Sequence, residues 1–161
     1  MRKRLVMVVA MAAALAATTV GIAVAQGRHQ VSPRSDEVIH VVLPSTGGHI
    51  QFLDFEHDGL GFGDQLVSVG PILHEDQNER VGTYYGTCWI GSKRYHDGSP
   101  LDCTYVLKFA DGNITTQGLD PHGPSDVFFS VTGGTGAYDG ANGQAEYIDT
   151  TQTDVIISLD E

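Results

Sequence analysis

Tyrosine and cysteine side chains occur at even spacing in two neighbouring apolar segments of the chain. Tyr84 and Cys88 lie in the first segment, and Cys103 and Tyr105 lie in the second. Because side chains two positions apart lie on one face of a β-strand, each segment would present its phenol and its sulfur on the same face. A phenol can donate a proton or a hydrogen bond, so these residues are candidates for chemistry on a bound small molecule.

The pattern of residues 81–110 predicts an antiparallel hairpin. A register that pairs Cys88 with Cys103 also pairs Gly86 with Tyr105. Alternation then gathers an apolar face that holds both phenols and both sulfurs. Its members are Tyr84, Cys88, Ile90, Leu101, Cys103, Tyr105, Leu107 and Phe109. The opposite face mixes polar and apolar side chains, and we therefore predict that the apolar face points to the interior.

Short strands separated by turn residues continue through the rest of the chain. The predicted strands span residues 37–43, 49–55, 65–73, 81–90, 101–110, 114–118, 126–132, 143–149 and 154–159. Eight or nine short strands at regular spacing, without a helical period, are typical of an antiparallel barrel or sandwich. The glycine-rich stretch 131–144 predicts a bulge or bend, because glycine between strands marks a kink or a close backbone approach.

The start of the chain is typical of a secretory signal peptide. Basic residues follow Met1, an apolar run begins at Leu5, and Ala23-Val-Ala25 matches a cleavage site. The predicted division is residues 1–25 as signal peptide, 26–36 as mobile leader and 37–161 as one barrel domain. The apolar run is shorter than the roughly twenty residues of a membrane span. We therefore predict a secreted protein that does not bind a membrane once the signal is cleaved.

The cysteine count and the predicted compartment favour a disulfide. Cys88 and Cys103 are the two cysteines of the chain, and an even number in an exported protein indicates pairing. The hairpin register described above makes them cross-strand neighbours. We therefore predict a bridge between them.

Neither a metal nor a cofactor is predicted. The sequence has no C-x-x-C pair, and its seven histidines are scattered rather than set at ligand spacing. Asp54, Glu56 and Asp58 match the first positions of a calcium loop, but the twelfth position is Gln65 instead of glutamate. A solvated hairpin loop is the simpler interpretation.

The charge balance argues against nucleic acid as a partner. Nine Lys and Arg residues stand against twenty Asp and Glu residues, a formal net charge of −11. Phosphate binding requires a basic face, which this composition does not offer. The acidity is instead typical of a soluble exported protein.

Five motifs between residues 63 and 147 occur in one order and carry a family resemblance. They are Gly63-Asp-Gln-Leu-Val67, Arg80-Val-Gly-Thr-Tyr-Tyr-Gly-Thr-Cys88, Phe109-Ala-Asp-Gly112, Ile114-Thr-Thr-Gln-Gly118 and Val131-Thr-Gly-Gly-Thr-Gly-Ala-Tyr-Asp-Gly140. Together they resemble the strand motifs of the allene oxide cyclase barrels and, more distantly, the plant dirigent proteins. The resemblance implies an all-β, eight-stranded antiparallel β-barrel, which can be filled by side chains or can hold one small ligand.

The resemblance also implies positions for a site. In the cyclase family the cysteine of the Gly-x-Cys motif lines the lumen, and it matches Cys88. The plant cyclases carry a carboxylate in their first strand. Alignment of that strand on residues 37–43 puts His40 nearest to this position, whereas alignment on residues 49–55 puts Asp54 there. The two alternatives remain open at this point.

Three functions are compatible with such a barrel. The first is a cyclase or isomerase acting on an apolar small molecule in the lumen, since an intramolecular reaction depends largely on orientation. The second is a lipocalin-type protein that binds the ligand unchanged, and the third is a structural barrel with a filled lumen. The catalytic candidates are Tyr105, Tyr84, His40 and Asp54. The ligand-binding candidates are Cys88, Ile90, Leu107, Phe109 and Gly86.

A homo-oligomer is expected from the resemblance, because related barrels are often dimers or trimers. Trp89 and Tyr85 fall on the outward face of the predicted hairpin. Exposed aromatic side chains commonly mark interfaces between subunits.

Overall fold

The computed structural model describes residues 38–123 and 126–160, which form β-strands joined by turns. The strands are β1 (Val38–Leu43), β2 (His49–Leu53), β3 (Gln65–His74), β4 (Arg80–Ile90), β5 (Leu101–Phe109), β6 (Gly112–Asp120), β7 (Val127–Gly136), β8 (Gly143–Asp149) and β9 (Thr153–Leu159). The predicted signal peptide and leader lie outside the described residues. Within the described ranges, no helix has the length and apolarity needed to cross a membrane.

Eight of these strands close into an antiparallel barrel. Their hydrogen-bonded order is β1-β9-β8-β7-β6-β5-β4-β3. The ring closes where β1 pairs with the end of β3, through Val41 opposite His74 and Val42 opposite Leu73. The predicted eight-stranded all-β barrel is therefore confirmed.

The remaining strand, β2, extends the wall at one end of the barrel. Residues 44–48 form a loop between β1 and β2. As a result, β1 pairs with the end of β3, whereas β2 pairs with the beginning of β3. On its other edge, β2 has no strand partner within the described ranges. The wall is therefore interrupted between β2 and the turn that joins β8 to β9.

The predicted hairpin of β4 and β5 has the expected register. Cys88 lies opposite Cys103, Gly86 opposite Tyr105, and Tyr84 opposite Leu107. The predicted inward face is buried or half-buried, whereas Trp89 on the other face is 49% exposed. The alternation of side chains therefore predicted the inside and the outside of this hairpin correctly.

The predicted disulfide between Cys88 and Cys103 is confirmed. The two Cα atoms are 4.0 Å apart across the hairpin, and both side chains are buried. The bridge joins the inward faces of β4 and β5 directly beside Tyr105.

The glycine-rich stretch continues β7 as far as Gly136 and contains a bulge. Thr115 pairs with Gly133, but the next residue, Thr116, pairs with Val131. One residue of β7 is therefore left without a partner, as expected for a β-bulge. The bend predicted for this stretch is confirmed.

The two ends of the barrel differ in how they are filled. At one end, Leu107, Ile72 and Ile114 are fully buried and pack into the core. The other end, called the open end here, lies where β5 and β9 begin and where β6 and β8 end, because Leu101 pairs with Asp120 and β8 turns into β9. The candidate site lies at the open end.

Candidate functional site

A cavity of about 420 Å³ occupies the lumen at the open end. It reaches from the centre of the barrel to the interrupted wall beside β2. The side chains that line it include Leu43, Ile50, Leu66, Ser68, Tyr84, Cys88, Leu101, Tyr105, Asp120, His122, Tyr147, Asp149 and Thr153. A smaller cavity of about 200 Å³ shares Tyr105, Asp120, His122, Tyr147, Asp149 and Thr153 with it and extends to Phe129.

Four aromatic side chains form the inner wall of this space. The ring of Tyr105 stacks on that of Tyr147, with centroids 5.4 Å apart, and on that of Phe129 at 5.9 Å. Tyr84 meets Tyr105 edge-on at 6.4 Å. Aromatic pairs at these separations attract one another and hold the rings in place. The wall is therefore apolar and preorganised.

Glycines in adjacent strands make room for three of these rings. A Cβ atom added to Gly86 would lie 2.5 Å from Cε1 of Tyr105, which is closer than real Cβ contacts. Because glycine has no side chain, the ring lies flat against the barrel wall instead of standing in the lumen. The three pairs are Gly86 with Tyr105, Gly70 with Tyr84, and Gly118 with Phe129. This arrangement keeps the lumen free at the open end.

The phenols at the cavity are uncharged hydrogen-bonding groups at neutral pH. Burial raises the pKa of Tyr84 and, more strongly, the pKa values of Tyr105 and Tyr147. The Tyr147 hydroxyl shares a hydrogen bond of 2.8 Å with Oγ1 of Thr116, whereas the Tyr105 hydroxyl lies 3.9 Å from the sulfur of Cys88. A contact to sulfur is weak, so the Tyr105 hydroxyl remains able to donate to a ligand.

Two carboxylates lie at the mouth of the cavity. One oxygen of Asp120 accepts the backbone N–H of His122 at 2.6 Å, and one oxygen of Asp149 accepts the hydroxyl of Thr153 at 3.3 Å. The negative charges of both residues contribute to the raised pKa of Tyr105, after burial and the neighbouring Tyr147. The mouth therefore carries two carboxylates that line the same cavity as the aromatic wall.

His122 lies between the two cavities in an unusual backbone conformation. Its φ angle is 49°, in the left-handed region that non-glycine residues seldom adopt. Its Nε2 and the hydroxyl of Tyr95 are 2.9 Å apart in a hydrogen bond. Its Nδ1 is buried and has no hydrogen-bond partner among the described residues. Such an orphaned polar atom costs about 1–3 kcal/mol, so a bound molecule that supplied a partner would gain from it.

The structure brings part of the predicted site together. Tyr84, Tyr105 and Cys88 line the cavity, and Gly86 lies beneath the Tyr105 ring. Cys88 does so as half of the disulfide and therefore offers no thiol.

The remaining ligand-binding candidates lie elsewhere in the barrel. Ile90 and Leu107 are fully buried in the core and do not line the cavity. Phe109 lies at the end of the barrel opposite the open end, where its ring contacts that of Tyr138 at 5.6 Å and borders a separate pocket. These three residues point to the same side of the hairpin as Tyr105, but they lie at other positions along the barrel axis and so do not reach the cavity.

His40 and Asp54, the two alternatives for a catalytic group in the first strand, also lie away from the cavity. Nε2 of His40 is 3.1 Å from Oδ1 of Asp154, and its Nδ1 is 3.2 Å from Glu75. The carboxylate of Asp54 accepts the backbone N–H groups of residues 57 and 59 and so closes its own loop. Neither residue lines the cavity at the open end, and His40 instead borders a separate pocket of about 600 Å³.

Sequence reasoning did not single out four residues at the cavity. They are Asp120, His122, Tyr147 and Asp149. The same alternation that oriented the β4–β5 hairpin indicates Tyr147 and Asp149, because both share the inward face of β8 with the fully buried Ala145. His122 lies in a loop, where alternation has no meaning.

These features define a closed antiparallel β-barrel with a ligand-sized cavity at one end of its lumen. The family model of the allene oxide cyclase barrel-like domain matches residues 50–159, which is most of the chain. The chain belongs to this family.

Solved structures of low sequence identity share the fold. A pyocyanin demethylase superposes with a TM-score of 0.63 at 21% identity, over 76% of this chain and 99% of its own. A Diels-Alderase from Streptomyces koyangensis has a TM-score of 0.54 at 14% identity, over 77% of this chain and 69% of its own. A pterocarpan synthase dirigent protein has a TM-score of 0.54 at 17% identity, over 78% and 84%.

Proposed function

We propose that this protein is a secreted barrel that binds a planar, largely apolar small molecule in the cavity at the open end. The observation that carries the proposal is the preorganised aromatic wall, which leaves about 420 Å³ of lumen free. Burial of about 200 Å² of apolar ligand surface would contribute about 5 kcal/mol before the costs of association. The cavity is within the size range of small-molecule sites.

The proposed reaction is an intramolecular cyclisation or isomerisation of the bound molecule. A rigid wall can hold a flexible chain in a folded conformation, and orientation alone lowers the barrier of such a reaction. The Tyr105 hydroxyl would donate a hydrogen bond to a carbonyl or similar acceptor of the ligand. Similarity to a Diels-Alderase and to a dirigent protein supports this reaction class.

Binding without turnover is the second candidate function. It is favoured by the contacts of the phenols: the Tyr147 hydroxyl bonds to Thr116 and the Tyr105 hydroxyl contacts the sulfur of Cys88, and neither partner would accept a proton near neutral pH. In this case the phenols would only orient the ligand.

Replacement of Tyr105 with phenylalanine is expected to separate the two candidates. The ligand is first identified by mass spectrometry of material that copurifies with the parent protein. The variant keeps the shape of the wall and loses one hydroxyl, so binding of this ligand should weaken by about fivefold at most. An enzyme that uses the hydroxyl should lose turnover by about a hundredfold or more.

The matched control is Tyr85→Phe, which removes an exposed hydroxyl from the outer face of β4. It should change neither binding nor turnover. Equal turnover in Tyr105→Phe and the parent would exclude a role for the Tyr105 hydroxyl in the reaction. A parent protein that binds neither a copurified ligand nor small aromatic probes would contradict the proposed function itself.

Export is part of the proposal and depends on the signal-peptide pattern of residues 1–25. Cleavage after Ala25 predicts that the mature chain begins at Gln26. The intact mass of the protein recovered from the culture medium checks this directly. A full-length chain extracted from membranes would contradict it.

We also propose that the barrel assembles into a homo-oligomer through its outer face. Trp89 and Leu119 lie in one row across β4, β5 and β6, because both are paired with Asp102. They are 49% and 69% exposed, and Phe128 on β7 is 55% exposed. Light scattering should give a mass of at least two chains, and Leu119→Lys should lower it by replacing an exposed apolar side chain of this surface with a charged one. A parent protein that is monomeric at high concentration would contradict the proposal.

A further inference from the structure

The cavity combines an aromatic wall with an acidic mouth, and neither Lys nor Arg occurs among the described residues that line it. Among the described residues that line the two cavities, the ionisable groups other than phenols are Asp120, Asp149 and His122. Neither Lys nor Arg is present to neutralise the two carboxylates there. Asp120 is half-buried and Asp149 is exposed, so the charges lie at different depths along the entrance.

Each carboxylate has bonding capacity left for a ligand. The hydrogen bonds to His122 N–H and to the Thr153 hydroxyl use Oδ1 of Asp120 and Oδ1 of Asp149. The second oxygen of each group is therefore available to interact with a positive charge. The buried Nδ1 of His122, a residue that lines both cavities, has no hydrogen-bond partner among the described residues.

The aromatic wall itself favours a cation. The face of a phenol or phenyl ring carries negative potential, and a cation within about 6 Å of the ring centre is attracted to it. Tyr105, Tyr147 and Phe129 form one continuous cluster, with the Phe129 and Tyr147 rings 4.9 Å apart. Asp120 and Asp149 line the same two cavities as Tyr105 and Tyr147, so a cation on these rings would lie near both carboxylates.

We propose that the ligand is a planar heteroaromatic cation, whose ring stacks on the Tyr105–Tyr147 wall while its positive charge faces Asp120 and Asp149. This inference rests on the proposed function and narrows the ligand class from apolar molecules in general. An anionic ligand would meet two carboxylates and, among the described lining residues, neither Lys nor Arg, and is disfavoured.

Three probes of nearly equal shape test the charge preference. They are N-methylquinolinium, which is positive, 1-methylnaphthalene, which is neutral, and 1-naphthoate, which is negative. Affinities are measured at low salt by calorimetry or by ligand fluorescence with the full mature protein. The cation should bind about tenfold or more tightly than the neutral probe, and the anion should bind most weakly. The preference should shrink as salt is added, because part of the attraction is screened at the exposed mouth.

Substitution of the carboxylates identifies the source of the preference. Asp120→Asn and Asp149→Asn keep the accepting Oδ1 oxygens and remove the charge. Each should weaken binding of the cation by about fivefold and leave the neutral probe unchanged. Asp102→Asn, on the outer face of β5, changes the net charge equally and should have no effect on either probe.

The outcomes separate this inference from the proposed function. If 1-methylnaphthalene binds as tightly as N-methylquinolinium, or if 1-naphthoate binds best, the inference is overturned while the lumen remains a ligand site. If both Asn variants keep the full preference for the cation, the carboxylates are not its source and the inference is also overturned. If none of the three probes binds saturably, the proposed function fails, and the inference fails with it.

Discussion

A leucine at position 86 is expected to close the cavity and to abolish ligand binding while the barrel stays folded. The Cβ atom alone would lie 2.5 Å from the Tyr105 ring and would also collide with the hydroxyl of Ser68. The ring would have to turn away from the wall, and the lumen is the nearest space that can receive it. Loss of about 100 Å² of buried ligand surface corresponds to about a hundredfold in affinity.

Overpacking of this kind costs about 1–3 kcal/mol of stability, which a domain of ordinary stability tolerates. Urea unfolding followed by circular dichroism should therefore show a cooperative transition in Gly86→Leu, at a lower midpoint than in the parent. Titration with 1-methylnaphthalene measures the loss of binding in the same samples.

The neighbouring position supplies the control for this experiment. Thr87→Leu introduces a leucine on the outer face of the same strand, because successive residues of β4 point to opposite sides. It should leave the affinity for 1-methylnaphthalene unchanged. If Gly86→Leu binds this probe as well as the parent does, the lumen is not the functional site, and the barrel with a purely structural role becomes the better interpretation.

Removal of the disulfide is the second change with a large expected effect. Cys88 and Cys103 are 15 positions apart in sequence. In the chain-entropy model, a crosslink that closes such a loop stabilises the fold by about 3 kcal/mol, because it restricts the unfolded chain. The double substitution Cys88→Ala and Cys103→Ala should therefore lower the free energy of unfolding by about this amount and lower the melting temperature by about 10 °C.

The reducing agent dithiothreitol provides the matched control. Unfolding in its presence should lower the midpoint of the parent close to that of the double variant and leave the double variant unchanged. Because Cys88 lies 3.9 Å from the Tyr105 hydroxyl, the same samples show whether loss of the bridge also alters probe binding. A parent midpoint that is insensitive to reduction during unfolding would show that the bridge does not contribute to stability.

The position of Tyr105 in the lumen was predictable because it depends on local rules. Strand alternation gives each side chain a face, and the pairing of Cys88 with Cys103 sets the register of a hairpin whose strands are close in sequence. The same rules place Tyr84 and Gly86 correctly beside it. No long-range information is needed for these three residues.

Strand alternation and alignment with the family did not predict the surroundings of His40 and Asp54. His40 alternates with Ile39 and Val41, which pack into the core, and therefore points outward from β1. Asp54 lies just beyond the end of β2. A linear alignment with the family makes both positions plausible. His40 is instead engaged by Asp154 of β9, which is more than a hundred residues away in sequence. That contact depends on the pairing of the first strand with the last, a step that closes the barrel and has no signature in the first strand alone.

The sequence by itself determined the all-β class, the inward face of the β4–β5 hairpin, the disulfide and the family resemblance, because these depend on alternation, turn residues and residue spacing. Only the tertiary structure decided which positions along the barrel axis border an open cavity and which are filled by core side chains. Leu107 and Tyr105 follow the same alternation, yet Leu107 is sealed in the core and Tyr105 borders the cavity. The difference arises from side chains of distant strands, such as Ile72 and Tyr147, that meet only when the sheet closes on itself. The acidic mouth, by contrast, follows from the local order of strands, since β6 and β8 both run antiparallel to β7 and therefore end at one rim.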